Sequence, residues 1–317
     1  MRDIKYSKNV LRLQLITLAL MLCGLVASSQ SFKGDRTIMN TFQPYYGYER
    51  FAMDAYSEWL IAHPLKRNNQ AIYHDGTLKN STDIYVAVFD YEIGERNLHQ
   101  CADAAIYLRA SYNYSNGYLD RLTYTFTNGI ESSYIDYLQG LNYVEMNGGR
   151  DLIRKMGKPR EDTCKTFRQW LDLIWNYAGT ASLVDDTYAI ELYEMEPGDI
   201  FLQGGYPGHA MTVVDMAVNE KGHKIFMLAQ SYMPAQEQQI VMNPLTKDVW
   251  YSLDDLNYIS AEGLNGAYEV LQQCLMCVEK NNTYRTYKNY CSKTFYQFVG
   301  LSLFNFDSIK TTKCVYK

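Results

Sequence analysis

The chain has 317 residues, enough for one large domain or two ordinary ones, of which 47% are apolar and 21% charged. That composition excludes a disordered chain, and a formal charge of −5 with no basic stripe excludes a nucleic-acid partner. Tyrosine is over-represented at 29 copies; such rings act as half-buried packing residues with a wet hydroxyl, or line grooves and stack on sugars.

The first segment reads as an address and not as part of the fold. Arg2, Lys5, Lys8 and Arg12 precede a short apolar run, Leu13 to Val26, and "ASSQ" at Ala27 to Gln30 offers small residues for cleavage after Ser29. The run is shorter than the ~20 residues of a membrane span, so residues 1–29 are predicted to be a signal peptide, with no span after its removal. Leu22 ahead of Cys23 disfavours a lipid anchor. Removal takes four basic residues and Asp3, leaving about −8 on the mature chain. The expectation is an exported protein.

"FAMDAYSEWL", Phe51 to Leu60, has helical spacing and is ended by Pro64. "DIYVAVFDYEI", Asp83 to Ile93, is rich in strand formers and apolar enough for burial on both faces. "CADAAIYLRASY" predicts a helix whose apolar face carries Cys101, Ala104, Ala105, Leu108 and Tyr112. "RLTYTFTNG", Arg121 to Gly129, alternates like a strand and closes on an Asn-Gly turn. Cys164 to Gly179 is the longest helix after the signal, capped by Thr163 or Asp162 and stopped by Gly179. Strands follow in "YAIELYEM", "EPGDIFL", "HAMTVVDMAV" and "KIFMLAQSY", the last two joined by a hairpin turn at Asn219 to Lys224. Helices followed by an antiparallel run predict an α+β domain over about 42–256. Residues 257–317 form a tail with scattered cysteines and weak periodicity.

Within this pattern His209 stands out, because it opens an otherwise apolar strand directly after the loop "GGYPG". Strand alternation places His209, Met211, Val213 and Asp215 on one face, but Asp215 is ~20 Å away along the strand and reads as a surface charge. Hairpin pairing instead brings Gln230 or Ser231 near His209, and a Gln230 carboxamide oxygen can fix the imidazole tautomer. Cys101 is the candidate nucleophile: it opens a helix after a loop, where free N–H groups favour a thiolate. The competing reading of Cys101 is a plain core residue of that helix's apolar face. Cys164, in the charged stretch "EDTCKT", is the weaker candidate.

Gln100 and Gln236 are candidate oxyanion donors, although each can equally satisfy local backbone. Tyr206, Gly208 and Tyr232 flank the histidine as candidate substrate contacts. No metal or cofactor is expected: five histidines show no ligand spacing, Asp199 with His209 is a poor seed, and Cys274, Cys277, Cys291 and Cys314 do not form two knuckles. The glycine loop has no following helix to make a phosphate site, and no G-x-S-x-G elbow is present. In an exported chain the six cysteines left after cleavage could pair, in a pattern the sequence leaves open.

Two resemblances bear on these residues. "EPGDIFLQGGYPGHAMTVVD" resembles the Pro-Gly-Asp turn and Gly-His strand of NlpC-like cell-wall peptidases, and "HAMTVVDM…KIFMLAQSY" resembles papain's histidine strand and the strand after it. They imply a nucleophile helix packed on an antiparallel sheet, with Cys101 as nucleophile, His209 as base and Gln230 as orienting amide. Gln230 stands where those families carry Asn or His, which is a departure. Over most of the mature chain, "NLHQCADAAIYLRASY", "WNYAGTASL", "PGDIFLQGGYPGHAMTVVDMA" and "MLAQSYMPAQEQQIVMNP…WY" resemble successive blocks of domain of unknown function 4846, a family of exported Gram-negative bacterial proteins. That likeness implies a place in the periplasm or at the cell surface. It also implies closure soon after Trp250-Tyr251, so the tail is either an extension or a frame error. The expected function is a papain-like cysteine hydrolase cutting an amide bond, with cell-wall peptide or glycopeptide as partner. The alternative is a non-catalytic envelope protein that binds a peptide or glycan in a tyrosine-rich groove.

Overall fold

The computed structural model describes residues 36–252, except 52–53, 81–82, 148–150 and 191, together with the strand Leu301–Asn305. The predicted signal segment and Cys274, Cys277, Cys291 and Cys314 lie outside the described residues.

In chain order the helices are α1 (Ile38–Thr41), α2 (Ala55–Ile61), α3 (Cys101–Ser115), α4 (Tyr134–Leu138), α5 (Cys164–Tyr177) and α6 (Thr180–Leu183). The strands begin with β1 (Tyr48–Arg50), β2 (Tyr85–Val88) and two hairpins, β3 (Thr123–Thr125) with β4 (Glu131–Ser133) and β5 (Leu141–Met146) with β6 (Asp151–Met156). They continue as β7 (Tyr188–Ala189), β8 (Ile200–Gln203), β9 (His209–Asn219), β10 (Lys224–Gln230), β11 (Gln239–Val241), β12 (Tyr251–Ser252) and β13 (Leu301–Asn305). The nine strands of the main sheet run in the order β2-β11-β10-β9-β8-β13-β7, with β1 beside β9 and β12 beside β10. Every recorded pairing is antiparallel, so the fold is α+β.

Local chemistry explains the main elements. Helix α3 has no internal glycine or proline, and its N3 residue Asp103 accepts from the Gln100 N–H at 2.9 Å. Thr163 caps α5 by accepting from Thr166 N–H at 3.1 Å, and the helix ends at Tyr177, before Gly179. Asp54 does the same for α2 through Ser57 N–H. The expected Asn-Gly turn joins β3 to β4, and a further hairpin, β5 with β6, was not expected from the sequence. "YAIELYEM" keeps only the two residues of β7 as strand and turns into a 3-10 helix at Leu192–Glu194.

Strand β9 is the organising strand, eleven residues long. Its first half pairs with β8 through Gln203↔His209 and Ile200↔Thr212, its second half with β1, and its other edge with β10. A bulge interrupts that last pairing, because Met227 faces Asp215 while Leu228 faces Val213. The strict alternation expected from the sequence therefore fails after Val213. Met211, Val213 and Met216 pack in one apolar cluster with Phe201 and Phe226, and Ala210, Val214 and Ala217 pack in the large cluster with α3.

Two further expectations are corrected. Helix α3 is not one-sided: all fifteen of its residues are buried, because β9 and β10, α2 and α5 pack around it. Asp215 is not a surface charge. It is 1% exposed and paired with Arg50 of β1, whose Nε lies 2.9 Å from its carboxylate. Nothing in the sequence marks β1 as the strand that covers the second half of β9. Among the described residues no helix is long and apolar enough to cross a membrane.

His63 follows α2 and is fully buried among the rings of Trp59, Phe89 and Tyr91. Burial pushes its pKa down from 6.5 to about 3. The unfolded chain takes a proton here below pH 6.5 that the native state refuses. The stability contributed by the neutral ring is thus complete above pH 6.5 and lost as pH falls toward about 3. His63→Phe is therefore expected to gain up to about 3 kcal/mol relative to wild type between pH 7.5 and 4.5, measured by urea unfolding; a difference independent of pH would contradict the buried neutral ring.

Candidate active site

The structure brings His209 and Gln230 together as adjacent strand ends. The recorded β9–β10 register stops at Ala229↔Thr212, and beyond it the two residues meet through their side chains. His209 Nε2 lies 2.7 Å from Gln230 Oε1. A carboxamide oxygen only accepts, so Nε2 carries the proton and Nδ1 the lone pair. The Tyr232 ring stands edge-on to the imidazole, with centroids 5.5 Å apart.

The helix that carries Cys101 packs against the same strand. Cys101 opens α3, and its thiol feels the backbone N–H of Ala210, the residue after His209. The small side chains Ala102, Ala104 and Ala105 let the helix start lie close to β9. Burial pushes the Cys101 thiol up to about 11; the Ala210 N–H opposes this, and the nearby Asp103 carboxyl adds to it. Burial also pushes His209 down to about 4, against the Gln230 hydrogen bond. The resting pair is a neutral thiol and a neutral imidazole. Cys101 is 8% exposed and His209 1%, so the glycine loop does not open the ring to solvent in this state.

That loop is tightly shaped. Gly208 leaves no room for a side chain: a Cβ would sit 2.0 Å from Thr180 Oγ1 and 2.4 Å from the Gly205 carbonyl. Thr180 itself donates to that carbonyl at 3.1 Å, so the start of α6 holds the loop in place. Tyr206, at the loop tip, is 98% exposed.

Other candidate residues fall elsewhere. Gln100 is half-buried at the N-cap of α3, directly before the cysteine. The Gln236 carboxamide is taken up in a buried network: its oxygen accepts from Lys79 Nζ at 2.6 Å and from Gln239 Nε2, and its nitrogen donates to the Pro234 carbonyl. Cys164 is exposed at the start of α5. Asp199 caps its own turn by accepting from Glu196 N–H at 2.8 Å.

Two buried groups near the site, Asp103 and His99, carried no role in the sequence reading, and Ser231 was named only beside Gln230. Asp103, two residues past the cysteine, is pushed up to about 8 by burial. His99 donates from Nδ1 to the Gln236 carbonyl and meets the Tyr91 hydroxyl at Nε2, 3.1 Å away. The Ser231 hydroxyl lies within hydrogen-bond distance of the His99 and Gln236 carbonyls. Their signal was a run of polar residues, "HQCAD" and "QSYMPAQEQQ", at two places where the flanking elements are apolar.

Residues 38–267 match the family described as domain of unknown function 4846, and the chain belongs to that family. No curated protein and no solved structure matches it.

Two outcomes are expected at this site. Gly208→Ala should lower stability by about 1–3 kcal/mol in calorimetric melts, more than Gly179→Ala, whose Cβ meets nothing within 4 Å and whose φ of −172° is extended backbone. Iodoacetamide at pH 8, followed by peptide mass spectrometry, should alkylate exposed Cys164 well before Cys101, whose thiolate is roughly a thousandth of the population. Equal rates would mean the thiol is neither buried nor neutral.

Proposed function

We propose that this protein is an exported cysteine hydrolase with a papain-like arrangement of Cys101, His209 and Gln230, acting on an amide bond in cell-wall peptide of a Gram-negative envelope. The observation that carries the reading is the His209 Nε2–Gln230 Oε1 bond of 2.7 Å, beside Ala210, whose backbone N–H lowers the pKa of the Cys101 thiol. One carboxamide fixes the ring tautomer and leaves Nδ1 as its basic nitrogen.

In the reaction, His209 Nδ1 takes the thiol proton as the Cys101 sulfur attacks the amide carbon. The tetrahedral oxyanion is held by the Cys101 N–H and the Gln100 carboxamide. Collapse breaks the C–N bond, and the proton on His209 passes to the leaving amine. Water, deprotonated by His209, then hydrolyses the thioester and returns the proton to the sulfur. The pair starts neutral, so the ion pair forms only when bound substrate stabilises it. Access requires the loop carrying Tyr206 and the segment carrying Tyr232 and the exposed Met233 to part, and Tyr206, Gly208 and Tyr232 contact the substrate.

Burial of both side chains favours a second reading, a non-catalytic envelope protein that keeps the fold to bind a peptide or glycan. One experiment separates the two. Incubation with peptide stems released from cell-wall preparations should produce new amino termini, lost in Cys101→Ala and reduced about 10²–10⁴-fold in His209→Ala. Turnover surviving in Cys101→Ala, or binding of those peptides without cleavage by the wild type, would overturn the hydrolase.

A further inference from the structure

Away from Cys101, a cleft of about 590 Å³ lies between α5, the β5–β6 hairpin and Arg96 of the loop that leads into α3. Its size falls in the range of about 300–1,000 Å³ that takes small organic ligands. Its walls are unusual for such a site. Tyr137, Tyr143 and Tyr177 alternate with Asn142, Gln169 and Asn176, and Leu173 is the one aliphatic side chain in the lining.

The walls are also held rigidly. The Tyr143 hydroxyl donates to the Glu131 carbonyl at 3.0 Å and the Tyr177 hydroxyl to Glu145 at 2.6 Å, so two half-buried rings are pinned by their tips. The third ring, Tyr137, lies under the Arg160 guanidinium, 3.9 Å from its centroid. Arg160 in turn donates to the Tyr137 and Leu141 carbonyls and to the Asn142 carboxamide. Asp172 is fixed by Arg168 at 3.0 Å on the same helix.

This chemistry narrows the occupant. An apolar ligand would leave the amides and charges unsatisfied. A strong anion would meet Asp172, with Arg160 already committed to carbonyls and Arg96 alone left to offset the repulsion. A chain of sugar rings suits it: C–H faces pack on tyrosine rings, and vicinal hydroxyls pair with the Gln169 and Asn176 carboxamides and the Arg96 guanidinium. We propose that this cleft is a binding site for a neutral oligosaccharide. The site uses neither Cys101 nor His209, so it stands or falls apart from the hydrolase.

The test is a ¹⁵N NMR titration of the full chain with chitohexaose and cellohexaose, beside inorganic phosphate and tetraglycine. At least one oligosaccharide should shift the amides of 141–143 and 172–177, equally in Cys101→Ala, and Gln169→Ala and Arg96→Ala should each weaken binding about fivefold or more. Both substitutions sit on exposed residues, and unchanged thermal melts would show that the variants fold. No shift with either sugar up to about 10 mM, shifts unaffected by the substitutions, or selective binding of phosphate or tetraglycine would overturn the proposal.

Discussion

The complete burial of α3 is the constraint on which the rest of the structure depends. A helix surrounded on all sides has no surface on which to place its polar residues, so each needs a specific neighbour. Arg109 settles over the Tyr56 ring, 3.6 Å from its centroid, and that ring fits only because Gly198, at φ +99°, has no Cβ to strike it. The turn that contains Gly198 also sets the start of β8, which then pairs with β9. The placement of the cysteine, the histidine strand and the turn before it is therefore one packing problem, solved once.

The second determinant is where β9 and β10 stop pairing. Had the ladder continued past Ala229↔Thr212, the backbone of this region would have been used up in sheet hydrogen bonds. Instead His209 and Gln230 meet by side chain, and the Ala210 N–H acts on the Cys101 thiol. The same low-dielectric surroundings that make these bonds strong also hold both titrating groups neutral.

Beside this end of β10 lies a buried polar layer centred on Lys79, whose ammonium donates to the Gln236 and Gln239 carboxamides. Burial lowers the Lys79 pKa to about 8, and the two carboxamide oxygens supply what water would otherwise provide. Glu237 pairs with Lys66 and accepts from the Ile72 N–H, tying β11 to the segment before β2. With His99 and Ser231, this layer positions the loop that delivers Cys101 to its helix.

The sequence by itself determined the elements whose chemistry is local: the helices at Cys101 and Cys164, the Thr163 cap, the Asn-Gly hairpin, and the β9–β10 hairpin that brings Gln230 to His209. These follow from periodicity, capping and turn residues, which act over a few positions. What depends on distant partners was illegible. Asp215 looked exposed because Arg50 lies 165 residues away in the chain, and the bulge that shifts the faces of β9 arises only against β10. The burial of α3 on every side, the neutral state of the cysteine–histidine pair and the tyrosine-walled cleft were decided by tertiary packing alone. Desolvation is a property of everything that surrounds a group, and a linear pattern records only the group itself.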